Sequence, residues 1–248
     1  MPLTTWPEKI QLVTASSWSP RSLSGLVLWL DATRLGQADT TPVSAWYDQS
    51  GQGNHALQGT VAAQPTYRAV GINGRPSVVF DGVDDMLTIA TGATYWPTWT
   101  VIAVVFYSAP ATSQYPIFSN RAYSPTPAAG SGQTSLYVGN GGTSNVFAYM
   151  GEVAVPGLSG TSVITGGVIV SLVVDSVHRT LYYNGSQEAQ DTNVAATILP
   201  WGALGWDHLP NWYPYAIGAV VMYGRALGAG ELRQLTRWLG RKWGINVG

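Results

Sequence analysis

The sequence predicts an all-β fold, a two-sheet antiparallel β-sandwich with one C-terminal helix. Three observations carry the prediction. Short β-rich runs recur along the chain, separated by Gly, Asn, Asp, Pro and Ser. Helical periodicity is nearly absent before residue 229. Several runs, Val101–Phe106 and Val168–Val174 above all, are apolar on both faces, as suits strands at the centre of a sandwich.

Taken in order, the expected strands are Leu26–Leu30, Ser77–Asp81, Met86–Ala90, Thr98–Tyr107, Ser135–Val138, Asn145–Met150, Val168–Asp175, Arg179–Tyr183 and Ala216–Tyr223. Tyr183-Asn184-Gly185-Ser186 places Asn-Gly between two runs, the preferred type I′ hairpin turn. The formal glycosylation sequon Asn184-Gly185-Ser186 is read as that turn. From Ala229 to Lys242, Leu232, Leu235 and Leu239 fall on one helical face with Trp238 beside them. Arg233, Arg237 and Arg241 form the opposite, solvated face, and Gly244 is a natural stop. Residues 1–24 hold Trp6, Trp18 and little periodicity, so they read as an extended arm that packs on a neighbour. Residues 25–248 read as one domain, with no repeat and no linker to divide them.

Composition removes several classes of function. The 248 residues carry 12 Lys+Arg against 13 Asp+Glu, and charged residues are 10% of the chain, against about 25% in ordinary domains. A near-neutral chain with two lysines lacks the clustered cations that phosphate binding needs, so no nucleic-acid partner is expected. With no Cys there are no disulfides, thiolates or Cys-ligated zinc. The first residues lack the basic patch and apolar run of a signal peptide. The longest apolar stretch, Val101–Tyr107, is far short of the roughly 18 residues of a membrane span, so no membrane insertion is expected.

Four segments, in order, resemble the laminin-G-like group of concanavalin A-type jelly rolls. They are Gly25-Leu26-Val27-Leu28-Trp29-Leu30-Asp31-Ala32, the loop Trp46-Tyr47-Asp48-Gln49-Ser50-Gly51-Gln52-Gly53-Asn54-His55-Ala56, and the strand-turn-strand Pro76 to Leu87 around Phe80-Asp81-Gly82-Val83-Asp84-Asp85. The fourth joins Leu181-Tyr182-Tyr183-Asn184-Gly185 to Ile217–Leu227 and a closing helix. Order and spacing, from about residue 25 to 245, carry the resemblance, since no single element is specific. It implies two antiparallel sheets face to face with the late helix near one edge. The opening and the ending are similar to those of domains in phage virion proteins and bacterial surface proteins.

Asp48, Ser50 and Asn54 suit side-chain-to-backbone turns in a glycine-rich loop, and Asp81, Asp84 and Asp85 suit a tight turn. A sharper reading makes Asp48, Asp81, Asp84 and Asp85 calcium ligands, as some relatives in the superfamily bind calcium at rim loops. No contiguous ligand spacing supports it, so the turn reading is preferred and no cofactor is expected. Catalysis is not expected either. The superfamily's glucanases carry a paired-carboxylate strand pattern, whereas Glu8, Glu152, Glu188 and Glu231 each lack an acidic residue two positions away. His55, His178 and His208 are isolated in sequence, and no nucleophile elbow or zinc-protease motif is present.

The most unusual stretch runs from Pro200 to Tyr215. Its candidate binding residues are Trp201, Trp206, Asp207, His208, Asn211, Trp212, Tyr213 and Tyr215. Aromatic faces for the C–H side of a sugar, with amide and carboxylate groups for its hydroxyls, are what glycan recognition needs. Tyr and Trp also favour subunit contacts, so an interface is the competing use. Similar aromatic material lies at Tyr95–Trp99 and Tyr115–Tyr123. The expected protein is a non-enzymatic virion structural or adhesion protein, a decoration, fibre or tail component on the virion surface. Its expected partners are other virion subunits, host-surface glycan, or both, with assembly as a homo-oligomer. A secreted bacterial carbohydrate-binding module is the alternative, and an unconventional glycan-cleaving enzyme the third reading.

Overall fold

The computed structural model describes residues 18–90, 96–107, 115–119, 134–140, 143–150, 157–163, 166–192, 201–205 and 214–248. Among these, sixteen strands and one α-helix form. The strands are β1 (Leu26–Asp31), β2 (Ala45–Trp46), β3 (Ala56–Leu57), β4 (Thr66–Arg68), β5 (Ser77–Phe80), β6 (Leu87–Ala90), β7 (Trp99–Tyr107) and β8 (Tyr115–Ser119). They continue with β9 (Thr134–Asn140), β10 (Thr143–Met150), β11 (Leu158–Val163), β12 (Gly166–Val174), β13 (Arg179–Tyr183), β14 (Ser186–Asp191), β15 (Trp201–Leu204) and β16 (Tyr215–Tyr223), and the helix is α1 (Ala229–Trp243). All pairings are antiparallel. The first sheet runs β14-β13-β12-β7-β16-β5-β4, with β1 also on β16, and the second runs β11-β10-β9-β8-β15-β6-β3-β2. The two-sheet sandwich expected from the sequence is what forms.

Strand alternation fills the space between the sheets. Val101, Ala103 and Val105 of β7 and Val168, Val170 and Leu172 of β12 point inward with Leu87, Ile89, Leu136 and Leu204 of the second sheet. The other faces of the same strands carry Ile102, Val104, Ile169 and Val173, and these are buried under α1 with Leu232, Leu235, Leu239 and Trp243. The molecule therefore has three layers, and its central sheet is apolar on both faces because both are covered. Each of those helix side chains contributes about 1.5–3 kcal/mol by leaving water. The helix lies over the outer face of the first sheet, not near one edge as the resemblance implied. A register shift in β16 between Ile217 and Ala219 puts Gly218 and Ala219 on the helix side together. Trp243 then lies on Gly218, where a Cβ would stand 2.4 Å from the indole Nε1.

Local chemistry explains the ends of the elements. Gly244 closes α1 in the left-handed conformation at φ 63°, donating to the Gly240 carbonyl. Asn73 Nδ2 donates to the exposed carbonyls of Trp243 at 3.0 Å and Gly244 at 3.3 Å. The Asn184-Gly185 turn has both residues at positive φ, 47° and 87°, as a type I′ hairpin requires. Asn184 Oδ1 accepts from the Ile169 amide at 2.8 Å, so its side chain is spent inside the fold.

The described residues ahead of β1 pack on α1 and β16. Trp18 meets the Trp238 ring at 5.9 Å, and Tyr223 Oη donates to the Pro20 carbonyl at 2.9 Å. Residues 1–17 lie outside the described residues. No helix among the described residues is long and apolar enough to cross a membrane.

Candidate functional site

One rim of the sandwich gathers most of the chemistry, and Phe80 is its pivot. Strand β5 ends there and turns through Asp81-Gly82-Val83-Asp84-Asp85 into β6. Gly82 takes φ 79°, Asp81 Oδ1 accepts from the Val83 amide at 2.7 Å, and Asp85 Oδ2 accepts from the Asp81 amide at 2.7 Å. Oxygens of Asp81, Asp84 and Asp85 lie within 4.8 Å of one another. Burial, opposed by the Asp81 amide and reinforced by the charges of Asp81 and Asp84, raises Asp85 to a pKa of about 6.

Two further chain segments converge on the same ring. Gly205 adopts φ 87°, and a Cβ there would stand 2.5 Å from Phe80 Cδ1 and 2.6 Å from the Asp85 carbonyl oxygen. Only glycine permits both that conformation and that approach. Tyr215 stacks on Phe80 with ring centroids 5.1 Å apart, and on Tyr107 at 5.6 Å. Gly205 and Tyr215 therefore both lie against Phe80.

A cleft of about 280 Å³ opens next to Pro214 on the outer face of the first sheet. The connection from β4 to β5 folds back over that face and reaches β12, where a Cβ on Gly167 would stand 2.9 Å from Ile72 Cγ2. Between this connection and the start of β16, the cleft is lined by Arg68, Ser77, Val79, Phe106, Pro214 and Ala216, among others. Arg68 Nη1 lies 3.5 Å from Asp39 Oδ2, with both side chains about half exposed at 47% and 53%. Ser77 Oγ is buried against Gly71 and has no hydrogen-bond partner among the described residues.

The residues singled out from sequence separate accordingly. Trp201 opens β15, opposite Ala90 of β6. Tyr215 is a core residue, 5% exposed, whose hydroxyl donates to the Pro116 carbonyl at 2.7 Å. Its ring packs against Phe80 and Tyr107, and the residue also borders the cleft beside Pro214. Trp206, Asp207, His208, Asn211, Trp212 and Tyr213 lie outside the described residues. In the other two aromatic stretches, Trp99 and Phe118 are buried in the core, and Trp96 covers Gly224.

Asp48 stands apart from the acidic turn. Its Oδ1 accepts from the amides of Trp29 and Ser50, and its Oδ2 from the Ser50 hydroxyl and the Asn54 amide. Asn54 Nδ2 also donates to the Val27 carbonyl at 2.8 Å. The glycine-rich loop is therefore a clamp on β1, and of the alternative calcium set only Asp81, Asp84 and Asp85 lie together.

The described glutamates are also engaged. Glu231 takes a bidentate pair from Arg225, both bonds 2.7 Å, and caps the Gly228 amide at 3.0 Å. The Arg225 hydrogen bonds, then that amide, hold its carboxyl down to about 2. Glu188 binds β11 through Thr161 and Ser162. Sequence reasoning missed the cleft, because it is assembled from β4, β5, β7 and β16, and no local pattern marks it.

No protein-family model matches the sequence, and no curated protein sequence matches it. Solved structures do. The receptor-binding domain of botulinum neurotoxin type G is similar at a TM-score of 0.61 and 14% identity, over 87% of this chain and 52% of that one. The botulinum neurotoxin serotype D ligand-binding domain, in complex with N-acetylneuraminic acid, is similar at 0.62 and 14%, over 86% and 51%. A sialidase from Trypanosoma rangeli is similar at 0.53 and 16%, over 89% and 33%. The chain spans about half the length of the toxin domains it matches. At these identities the likeness establishes the β-sandwich fold.

Proposed function

We propose that this chain is a non-enzymatic glycan-binding domain of the laminin-G-like kind, acting in adhesion at a virion surface. The observation that carries the glycan reading is the convergence of Gly205 and Tyr215 on Phe80. These two residues flank in sequence the stretch holding Trp206, Asp207, His208, Asn211, Trp212 and Tyr213, and Pro214 lines the apolar cleft. Those residues supply aromatic faces together with carboxylate, imidazole and amide groups, the set a saccharide demands. The toxin receptor-binding domains among the structural neighbours, one of them solved with N-acetylneuraminic acid, support the same reading.

The virion setting rests on the laminin-G-like opening and ending of the sequence, and it includes self-association with other subunits. A non-enzymatic role fits the described carboxylates, since Asp48, Glu188 and Glu231 are consumed by structural hydrogen bonds. A glycan array tests the reading, run on the intact chain and on Trp206→Ala and Trp212→Ala, with oligomer mass measured in parallel. The expected result is loss of glycan signal at unchanged mass. Loss of assembly with unchanged glycan signal would make the stretch a subunit contact. Release of new reducing ends from host polysaccharide would overturn the non-enzymatic assignment.

A further inference from the structure

We infer that the outer-face cleft selects carboxylate-bearing saccharides, with a sugar ring against Phe106 and Pro214 and its carboxylate on the Arg68 guanidinium. This rests on the glycan reading and adds to it the class of ligand. The cleft, about 280 Å³, sits just below the roughly 300 Å³ at which small-molecule pockets begin. It suits one ring with its substituents, not a buried chain. Val79, Phe106, Pro214 and Ala216 give it an apolar lining suited to the C–H face of a ring. The polar groups that line it are few. Tyr215 Oη is committed to the Pro116 carbonyl, and Ser77 Oγ is too buried to reach a ligand.

Arg68 remains, the one cation in the lining among the described residues. Its partner holds it weakly. Asp39 is 3.5 Å away and half exposed, and its Oδ1 already accepts from the Ala69 amide at 2.8 Å. Exposed pairs of this kind are worth at most about 1 kcal/mol. A guanidinium presents five donors in a planar fork that fits a carboxylate with two parallel bonds. An incoming carboxylate therefore gains a better-matched partner at little cost, while a neutral sugar gains only the apolar lining. The side chain, 47% exposed, keeps the guanidinium open to solvent and to a ligand.

The test uses matched pairs, each a uronic-acid oligosaccharide beside the neutral oligosaccharide of the same linkage, such as oxidised and unoxidised cellohexaose. Titration calorimetry on the folded chain should give at least tenfold tighter binding of the acidic member. R68Q should bring the two within about threefold, through the weakened binding of the acidic member. R68K should fall between, because charge survives without the planar fork, and D39N should widen the preference. Circular dichroism confirms that each variant is folded. Retention of the full acidic preference in R68Q overturns the inference, as does preference for the neutral member in the native chain. Both of these results leave the glycan reading standing. Absence of binding to every saccharide on a broad array removes the glycan reading and this one together.

Discussion

Glu188 on β14 accepts hydrogen bonds from both the amide and the hydroxyl of Ser162 on β11, at 2.9 and 2.6 Å. These strands are the outermost members of different sheets, so the pair joins the two layers of the sandwich at one edge. The amide and hydroxyl of Thr161 add two more bonds to the same carboxylate. Burial pushes the Glu188 carboxyl up, but the bonds from Ser162 and Thr161 outweigh it and leave the group below its ordinary value.

Because this carboxyl is lowered on folding, its contribution is present above the ordinary glutamate value of 4.5 and is lost as pH falls through the folded value. Glu188→Gln turns one acceptor into a donor facing donors. We expect a loss of about 1–2 kcal/mol at pH 7 in urea unfolding, shrinking toward zero in acid. An equal loss at pH 7 and pH 3 would show that the charge plays no part.

The helix is tied to β1 by a second buried link, from Lys242 Nζ to Asp31 Oδ2. The Asp31 side chain is fully buried, and its other bonds come from the amide and hydroxyl of Thr33. Lys242 also lies 5.1 Å from the Trp238 ring centroid and 5.0 Å from that of Trp243. Lys242→Met keeps the aliphatic packing but strands a carboxylate in the interior, at a cost of about 3 kcal/mol. The double variant Asp31→Asn/Lys242→Met should recover most of it, since a neutral amide needs no counter-charge. The midpoint of urea denaturation measures both. A single variant that costs under about 1 kcal/mol would show the ion pair to be dispensable.

Asp85 gives a pH dependence of opposite sign. Its folded value of about 6 lies above the ordinary 3.8, so the folded chain holds this proton more tightly than the unfolded chain does. Stability therefore falls as pH rises from about 4 to about 6, and the full cost, up to about 3 kcal/mol, stands above that. Asp85→Asn keeps an acceptor for the Asp81 amide and removes the buried charge. It should be at least as stable as the native chain at pH 7.5 and should flatten the profile between pH 4 and 6. Chelator bears on the same turn. Since the Asp81 and Val83 amides already engage these carboxylates, dialysis against EDTA should leave the melting temperature unchanged. A fall on chelation, reversed by calcium, would assign the three oxygens to a metal.

Much of this architecture could be read locally. The alternation of β7 and β12, the Asn184-Gly185 turn and the leucine face of α1 each express one element's own chemistry, and each lies where the sequence puts it. Seven strands escaped notice: β2, β3 and β4 have two or three residues, β14 reads Ser-Gln-Glu-Ala-Gln-Asp, with no apolar face, and β8, β11 and β15 are four to six residues long. Their pairing is dictated by neighbours distant in sequence. Between residues 86 and 174 the chain carries only Arg121 and Glu152 as charges. Within that stretch the outer faces of β7 and β12 are covered by the chain's own helix. Gly218 under Trp243, and Gly205 on Phe80, are each the seat for a ring brought in from elsewhere, which no local pattern marks. The cleft was illegible for the same reason, since Arg68 on β4 and Phe106 on β7 are separated by β5 and β16, and only the sheet order brings both to one cleft.

Tyr215 separates the support of the rim from its binding surface. Tyr215→Phe preserves the stack between Phe80 and Tyr107 and deletes the hydroxyl that donates to Pro116 at 2.7 Å. The buried carbonyl then loses this donor, at a cost of about 1–2 kcal/mol in urea unfolding. Glycan affinity should stay within about twofold of the native chain, because the ring is 5% exposed and meets other core aromatics. Trp212→Ala should behave in the reverse way, with unfolding nearly unchanged and glycan signal lost. A Tyr215→Phe chain that is fully stable yet fails to bind would place the Tyr215 hydroxyl on the ligand, and the rim would then have to open further than its packing shows.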